Sequence, residues 1–146
     1  QMCIRDRIYS VQGDDFKALD YFKKSLKIVL SVYGENHSQV SSIYDHIGEV
    51  YFAQKDYSKA LYYFEESLKI RLSLFGENHP EVALSYYSIG SLYIIQGDKS
   101  KALNYYEKSL KIRLSVYGEN HPLTKEIMDL INVANSKVLQ SPETTK

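Results

Sequence analysis

The sequence SLKIRLSLFGENH at residues 67–79 decides the fold, because it occurs three times. SLKIVLSVYGENH stands at 25–37 and SLKIRLSVYGENH at 109–121. Gly34, Gly76 and Gly118 are therefore 42 residues apart, and the same offset relates Ala18, Ala60 and Ala102, and Asp14, Asp56 and Asp98. A fixed period of roughly 20–50 residues is the mark of a repeat array. One such unit cannot bury its own apolar face, so neighbours must stack.

The local chemistry around each copy predicts helices. In the first, Asp14 or Asp15 caps a helix over 15–33 whose apolar face is Ala18, Leu19, Phe22, Leu26, Leu30 and Tyr33, spaced as one helix face requires. Gly34 supplies the left-handed residue that ends it. A second helix over 38–54 carries Val40, Tyr44, Ile47, Gly48 and Tyr51. The pattern returns over 57–75, with Ala60, Leu61, Phe64, Leu68, Leu72 and Phe75 on one face and a supporting Glu65–Lys69 pair. It returns again over 80–96, opened by a tolerated first-turn proline, Pro80, with the stripe Val82, Tyr86, Ile89, Gly90 and Tyr93. The last two helices fall at 99–117 and 122–139, the latter with Leu123, Ile127, Leu130, Ile131, Ala134 and Val138 inward. No strand pattern occurs. The expected fold class is all-α: six helices stacked as antiparallel pairs in an α-solenoid.

Outside the repeat the reading is different. Residues 1–7, QMCIRDR, match no copy, and MCIRDR resembles a translated sequencing adapter; they read as a non-native leader. Residues 8–37 read as a partial repeat, 38–79 and 80–121 as full repeats, 122–139 as a C-terminal capping helix, and 140–146 as a disordered tail. Composition bounds the function. Hydrophobic residues make up 44% of 146, enough for a core. Net charge is zero, which argues against nucleic acid and anionic membrane as partners. Cys3 is the only cysteine, so neither a disulfide nor a cysteine metal site is expected. No apolar run reaches the ~18 residues of a membrane span, and no secretory signal is present; a cytoplasmic location is the expectation. The 14 tyrosines read as filler between helices, with their hydroxyls at wet edges.

Tyr44-x-x-Ile47-Gly48-x-x-Tyr51 followed by Ala60-x-x-x-Phe64 resembles the tetratricopeptide repeat, and Tyr86, Ile89, Gly90, Tyr93, Ala102 and Tyr106 form the next copy. The resemblance covers roughly residues 8–135. It implies small residues where helices A and B approach and large ones between them. The standard repeat has ~34 residues; this one resembles the longer variant of kinesin light chains, with its extended helix B and GENHP turn. Departures exist. Serine (Ser25, Ser67, Ser109) replaces the usual small residue late in helix B. Asn132 and Asn135 stand where Gly48/Gly90 and Tyr51/Tyr93 would recur.

Fold and function separate at this point, because such repeats serve many partners. The resemblance implies a non-catalytic protein-interaction scaffold, whose helix A faces line a peptide-binding groove at Asp45, Glu49, Phe52, Tyr87, Ser91, Ile94, Asp129 and Val133. None is cationic, which disfavours the carboxylate clamp of one family branch. The paired asparagines of kinesin light chains are here Asp45-His46 and Tyr87-Ser88. The ligand expected is a protein or peptide with an apolar anchor flanked by Lys or Arg. The alternative is a structural spacer in a longer array, self-associating through an exposed N-terminal face or regulating an attached effector. His37, His79 and His121 recur in the GENH turn, but stacked repeats separate such positions by about 10 Å per helix layer. Turn chemistry is their expected role. No metal or cofactor is expected, and no motif for catalysis or phosphate cradling occurs.

Overall fold

The computed structural model describes residues 14–138. The leader at 1–7, the start of the partial repeat at 8–13 and the tail at 140–146 lie outside the described residues. The described residues form six helices: α1 (Asp15–Tyr33), α2 (Ser38–Ala53), α3 (Tyr57–Phe75), α4 (Pro80–Ile95), α5 (Lys99–Tyr117) and α6 (Pro122–Val138). The fold class is all-α, of the α-solenoid kind built from antiparallel helix pairs. The chain divides into two compact units, the first ending at Gly76. In the first unit α2 packs on α1 and α3; in the second α5 packs on α4 and α6.

Local chemistry sets the boundaries. Asp14, Asp56 and Asp98 each accept a hydrogen bond from a backbone N–H three residues on, that of Lys17, Lys59 and Lys101. This satisfies one of the orphan donors of a helix start. Gly34, Gly76 and Gly118 close the long helices with φ near +80° and ψ near 180°. That is not the αL conformation expected from the sequence but the mirror-extended region, which is essentially restricted to glycine.

The three GENH histidines cap the short helices. His37 Nδ1 accepts from Gln39 N–H at 3.1 Å, His79 Nδ1 from Glu81 N–H at 3.1 Å, and His121 Nδ1 from Leu123 N–H at 3.2 Å. Tyr33 stacks on His37, and Tyr117 on His121, with ring centroids 4.2 Å apart. The imidazole thus does the work usually given to serine or aspartate. His79→Ala should cost about 1 kcal/mol, as other N-cap truncations do, and His79→Asp should recover most of it. Urea unfolding checks this: the midpoint moves and the slope does not.

The buried faces of the long helices are rotated from the expected stripes. In α3 the buried residues are Ala60, Phe64, Ser67 and Arg71, whereas Leu61, Leu68 and Leu72 are half-buried and Phe75 is exposed. In α1, Ser25 and Val29 are buried and Tyr33 is exposed. The reason is close helix approach. A Cβ on Gly48 would come 2.7 Å from the Phe64 ring, and one on Gly90 2.7 Å from the Tyr106 ring. At that separation only small groups fit the seam, and leucine is pushed to its flanks. Serine also supplies a hydrogen bond there: Ser109 Oγ donates to the Ala83 carbonyl at 2.8 Å. In α6 the buried residues include Thr124, Ile127 and Ala134, while Leu123 is exposed. Lys69 pairs with Glu66 at 2.7 Å rather than with the expected Glu65.

Tyrosines fill the wedge between helices A and B. Tyr51 stacks on Tyr63 and Tyr93 on Tyr105, both at 5.7 Å and 13°. Lys59 and Lys101 lie over Tyr51 and Tyr93, a contact worth about 0.5–1 kcal/mol at exposed sites.

Candidate functional site

The residues expected to line the groove fall in both units, and each unit carries its own set. In the first, Asp45 lies on α2 and is mostly buried. Its Oδ2 is 2.6 Å from Nη1 of Arg71, whose side chain is 4% exposed. Burial raises the Asp45 carboxyl above the ordinary range; the Arg71 charge opposes this without cancelling it. Asp45 is thus engaged within the fold and does not offer a free charge. Glu49, one turn further on, is exposed and 3.5 Å from His46 Nδ1. His46 itself stacks on Phe22. Phe52 is half-buried, edge-on to Tyr57 at 5.7 Å.

In the second unit Tyr87 occupies the register of Asp45, and Arg113 that of Arg71. The pair is solved differently here. The Arg113 guanidinium lies over the Tyr87 ring at 5.3 Å, and its Nη1 donates to the Leu123 carbonyl at 3.0 Å. Thr124 Oγ1 donates to the Arg113 carbonyl at 3.3 Å, so α5 and α6 are tied at this point. Burial, the Glu126 charge and a hydrogen bond to Glu126 raise the Tyr87 hydroxyl pKa. Tyr87, Arg113 and Glu126, from α4, α5 and α6, form one cluster. Ser91 Oγ and Tyr106 Oη are 3.0 Å apart. Ile94 is half-buried, Asp129 exposed, and Val133 50% exposed.

The geometry sorts the eight expected residues. Asp45, Tyr87 and Ser91 have partners within the fold. Glu49, Asp129 and Val133 face solvent, with Phe52 and Ile94 between. Arg71, Arg113 and Glu126 were not anticipated. The signal for the arginines was present: position 29 of the repeat register is Val29 in the first copy and arginine in the next two. An arginine replacing a buried valine must bring a partner.

Helix pairs with a glycine–aromatic seam, repeated at 42 residues, define a helical repeat scaffold. The tetratricopeptide repeat family model matches residues 7–73 and 42–115. The chain belongs to the tetratricopeptide repeat family. No curated protein matches it by sequence. Among solved structures it is similar to the putative kinesin light chain with nearly identical repeats from Podosopora anserina, at 18% identity and TM-score 0.79, over 92% of this chain and 65% of that one. It is also similar to BtubC (BKLC) from P. vanneervenii, at 20% identity and TM-score 0.73, over 92% of this chain and 62% of that one. A third likeness is to the N-terminal domain of stress-induced protein-1 from C. elegans, at 20% identity and TM-score 0.59, over 86% and 87%. The chain thus spans less than two thirds of the length of the kinesin-light-chain-type structures, and its repeats have their fold. Among the described residues no helix is long and apolar enough to cross a membrane.

Proposed function

We propose that this chain is a non-catalytic interaction module that holds an extended or helical peptide against its helix A faces. Tetratricopeptide repeats are in general protein-interaction scaffolds. The observation that carries the finer reading is the sorting of side chains above. In the second unit Asp129 and Val133 are both exposed and one turn apart on α6; in the first, taken by itself, the exposed acid of α2 is Glu49. A peptide with an apolar anchor and a neighbouring Lys or Arg complements such a surface. Asp45 is buried against Arg71 and does not add to the charge of the surface.

A panel of labelled peptides tests this, each with a leucine or phenylalanine anchor flanked by lysine in one set and glutamate in the other. The lysine set should bind, more weakly at high salt. Glu49→Lys and Asp129→Lys, made separately, should each weaken binding at its own unit's surface about tenfold or more, equivalent to about 1.4 kcal/mol or more. Both positions are exposed, so circular dichroism should be unchanged. Equal binding of the two sets, or indifference to the charge reversal, would sink the reading. The alternative, a spacer that self-associates, is favoured by one observation: α1 exposes Ile28 and Val32.

A further inference from the structure

We infer that the second unit carries a separate docking cleft, in which Lys108 and Lys111 hold an acidic segment of a partner protein with two or more aspartates or glutamates close in sequence. The inference does not rest on the groove reading. Tyr86 lines the cleft, and it lies one residue, or about 100° around the helix, from Tyr87 of the groove.

The first observation is the cleft and its donors. It encloses about 490 Å³ between α5, the first half of α4 and the turn before α4, and the buried Ile112 is part of its lining. Lys108 Nζ lies over two rings at once, 5.6 Å from the centre of Tyr86 and 5.3 Å from that of Tyr105. Such contacts hold the ammonium in place without neutralising it. Asn78 Nδ2 donates to Ser115 Oγ at 3.2 Å. That bond leaves a second amide N–H and the serine O–H as further donors. Glu77 is the one acid among the lining residues. The cleft is therefore rich in donors and suited to an acceptor of negative charge.

The second observation is that this copy alone leaves its charge unanswered. On α1 the register holds Lys24 and Lys27, and Lys24 pairs with Asp20 at 2.9 Å. On α3 it holds Glu66 and Lys69, which pair with each other at 2.7 Å. A carboxylate thus stands beside Tyr44, whose hydroxyl pKa is raised by burial and then by the Glu66 charge. On α5 the Asp20 position is Asn104 and the Glu66 position is Lys108. Both internal answers are gone, and neither Lys108 nor Lys111 has an ion-pair partner among the described residues. Two like charges one turn apart repel each other. A carboxylate between them relieves the repulsion and accepts from the neighbouring donors. Peptide carboxylates fit better than a polyanion. The cleft is small, Glu77 is among its lining residues, and zero net charge gives no long-range pull on nucleic acid or anionic lipid.

The probe is a labelled peptide of alternating aspartate and glycine, titrated by fluorescence anisotropy against the whole chain, with an asparagine–glycine peptide as control. The aspartate peptide should bind, more weakly as salt rises, and the asparagine peptide should not. Lys108→Glu with Lys111→Glu should weaken binding about tenfold or more. Lys24→Glu with Lys27→Glu makes the same change of charge in the same register of α1, and should alter binding by about twofold or less. Glu77→Gln should tighten binding about twofold or more, a gain that no loss of folding can produce. Failure of the aspartate peptide to bind, equal binding of the two peptides, equal losses from the two lysine pairs, or no gain at Glu77 would each overturn the cleft. Displacement of the peptide by single-stranded DNA or phosphatidylserine vesicles that bind more tightly through the same lysines would make a polyanion the occupant and overturn the assignment to a protein segment. Glutamate-flanked peptides of the groove panel are titrated against the α5 double variant as well, so the groove and cleft readings fail separately.

Discussion

Arg71→Met should destabilise the chain by about 3–5 kcal/mol, because it strands the buried Asp45 carboxylate, whereas Asp45→Leu combined with Arg71→Met should recover most or all of that loss. The two charges are 2.6 Å apart, with the arginine almost fully buried. Breaking such a pair leaves a desolvated charge, but replacing both members with apolar groups of similar size is often neutral or stabilising. A double-mutant cycle by urea unfolding separates these outcomes. Additive single effects would mean that Asp45 and Arg71 are not coupled in solution.

The pair also sets a pH dependence. Burial is the largest influence on Asp45 and raises its pKa despite Arg71. The folded chain therefore binds this proton more tightly than the unfolded chain does. Its contribution to stability is greatest below the ordinary aspartate range and declines as pH rises through the raised folded value. The Asp45→Leu/Arg71→Met variant lacks this term. Its stability relative to the parent should thus increase as pH rises out of the ordinary aspartate range, and level off above the raised value. A difference that moved the opposite way would mean that Arg71 outweighs burial.

The second large effect is expected at the helix seam. Gly90→Val should cost about 3 kcal/mol, the upper part of the range for overpacking a tight core. A Cβ there meets Tyr106 Cδ1 at 2.7 Å, Cε1 at 2.8 Å and the Ala102 carbonyl oxygen at 3.3 Å. The Tyr106 ring is 3% exposed, and its hydroxyl is engaged with Ser91, so it cannot swing aside without giving up that bond. At Gly48 the nearest atoms all belong to the Phe64 ring, which has no hydroxyl to anchor it. Gly48→Ala should therefore be tolerated better than Gly90→Ala, although alanine improves helix propensity by about 1 kcal/mol at either position. Tyr106→Phe should narrow the gap between them. Chemical unfolding of the four variants decides it, and equal costs at the two glycines would remove the hydroxyl anchor from the explanation.

Helix boundaries were legible because they are made by neighbours in sequence. The caps at Asp14, Asp56 and Asp98 act over three residues, the histidine caps over two, and glycine ends each long helix within itself. The 42-residue period carried the family in the same way, since a repeated pattern needs no distant partner to be seen. The expected stripes were right in the first half of each long helix, where Ala18-Leu19-Phe22 and Ala60-x-x-x-Phe64 face the core. They were wrong in the second half, where hydrophobicity pointed to leucines and the seam admitted serine and arginine.

The sequence by itself determined the element order, the helix ends, the all-α repeat class and the place of the glycine–aromatic seam. Tertiary structure alone decided what each seam residue does. Asp45 and Arg71 are 26 positions apart, and only the approach of α2 to α3 makes them an ion pair rather than two surface charges. In the next copy the same register holds Tyr87 and Arg113, and the same approach makes a stacked ring and guanidinium. Whether a charged side chain is buried depends on how near the neighbouring helix lies and what it offers. That distance is set by packing across the pair and is not written in the local pattern of either helix.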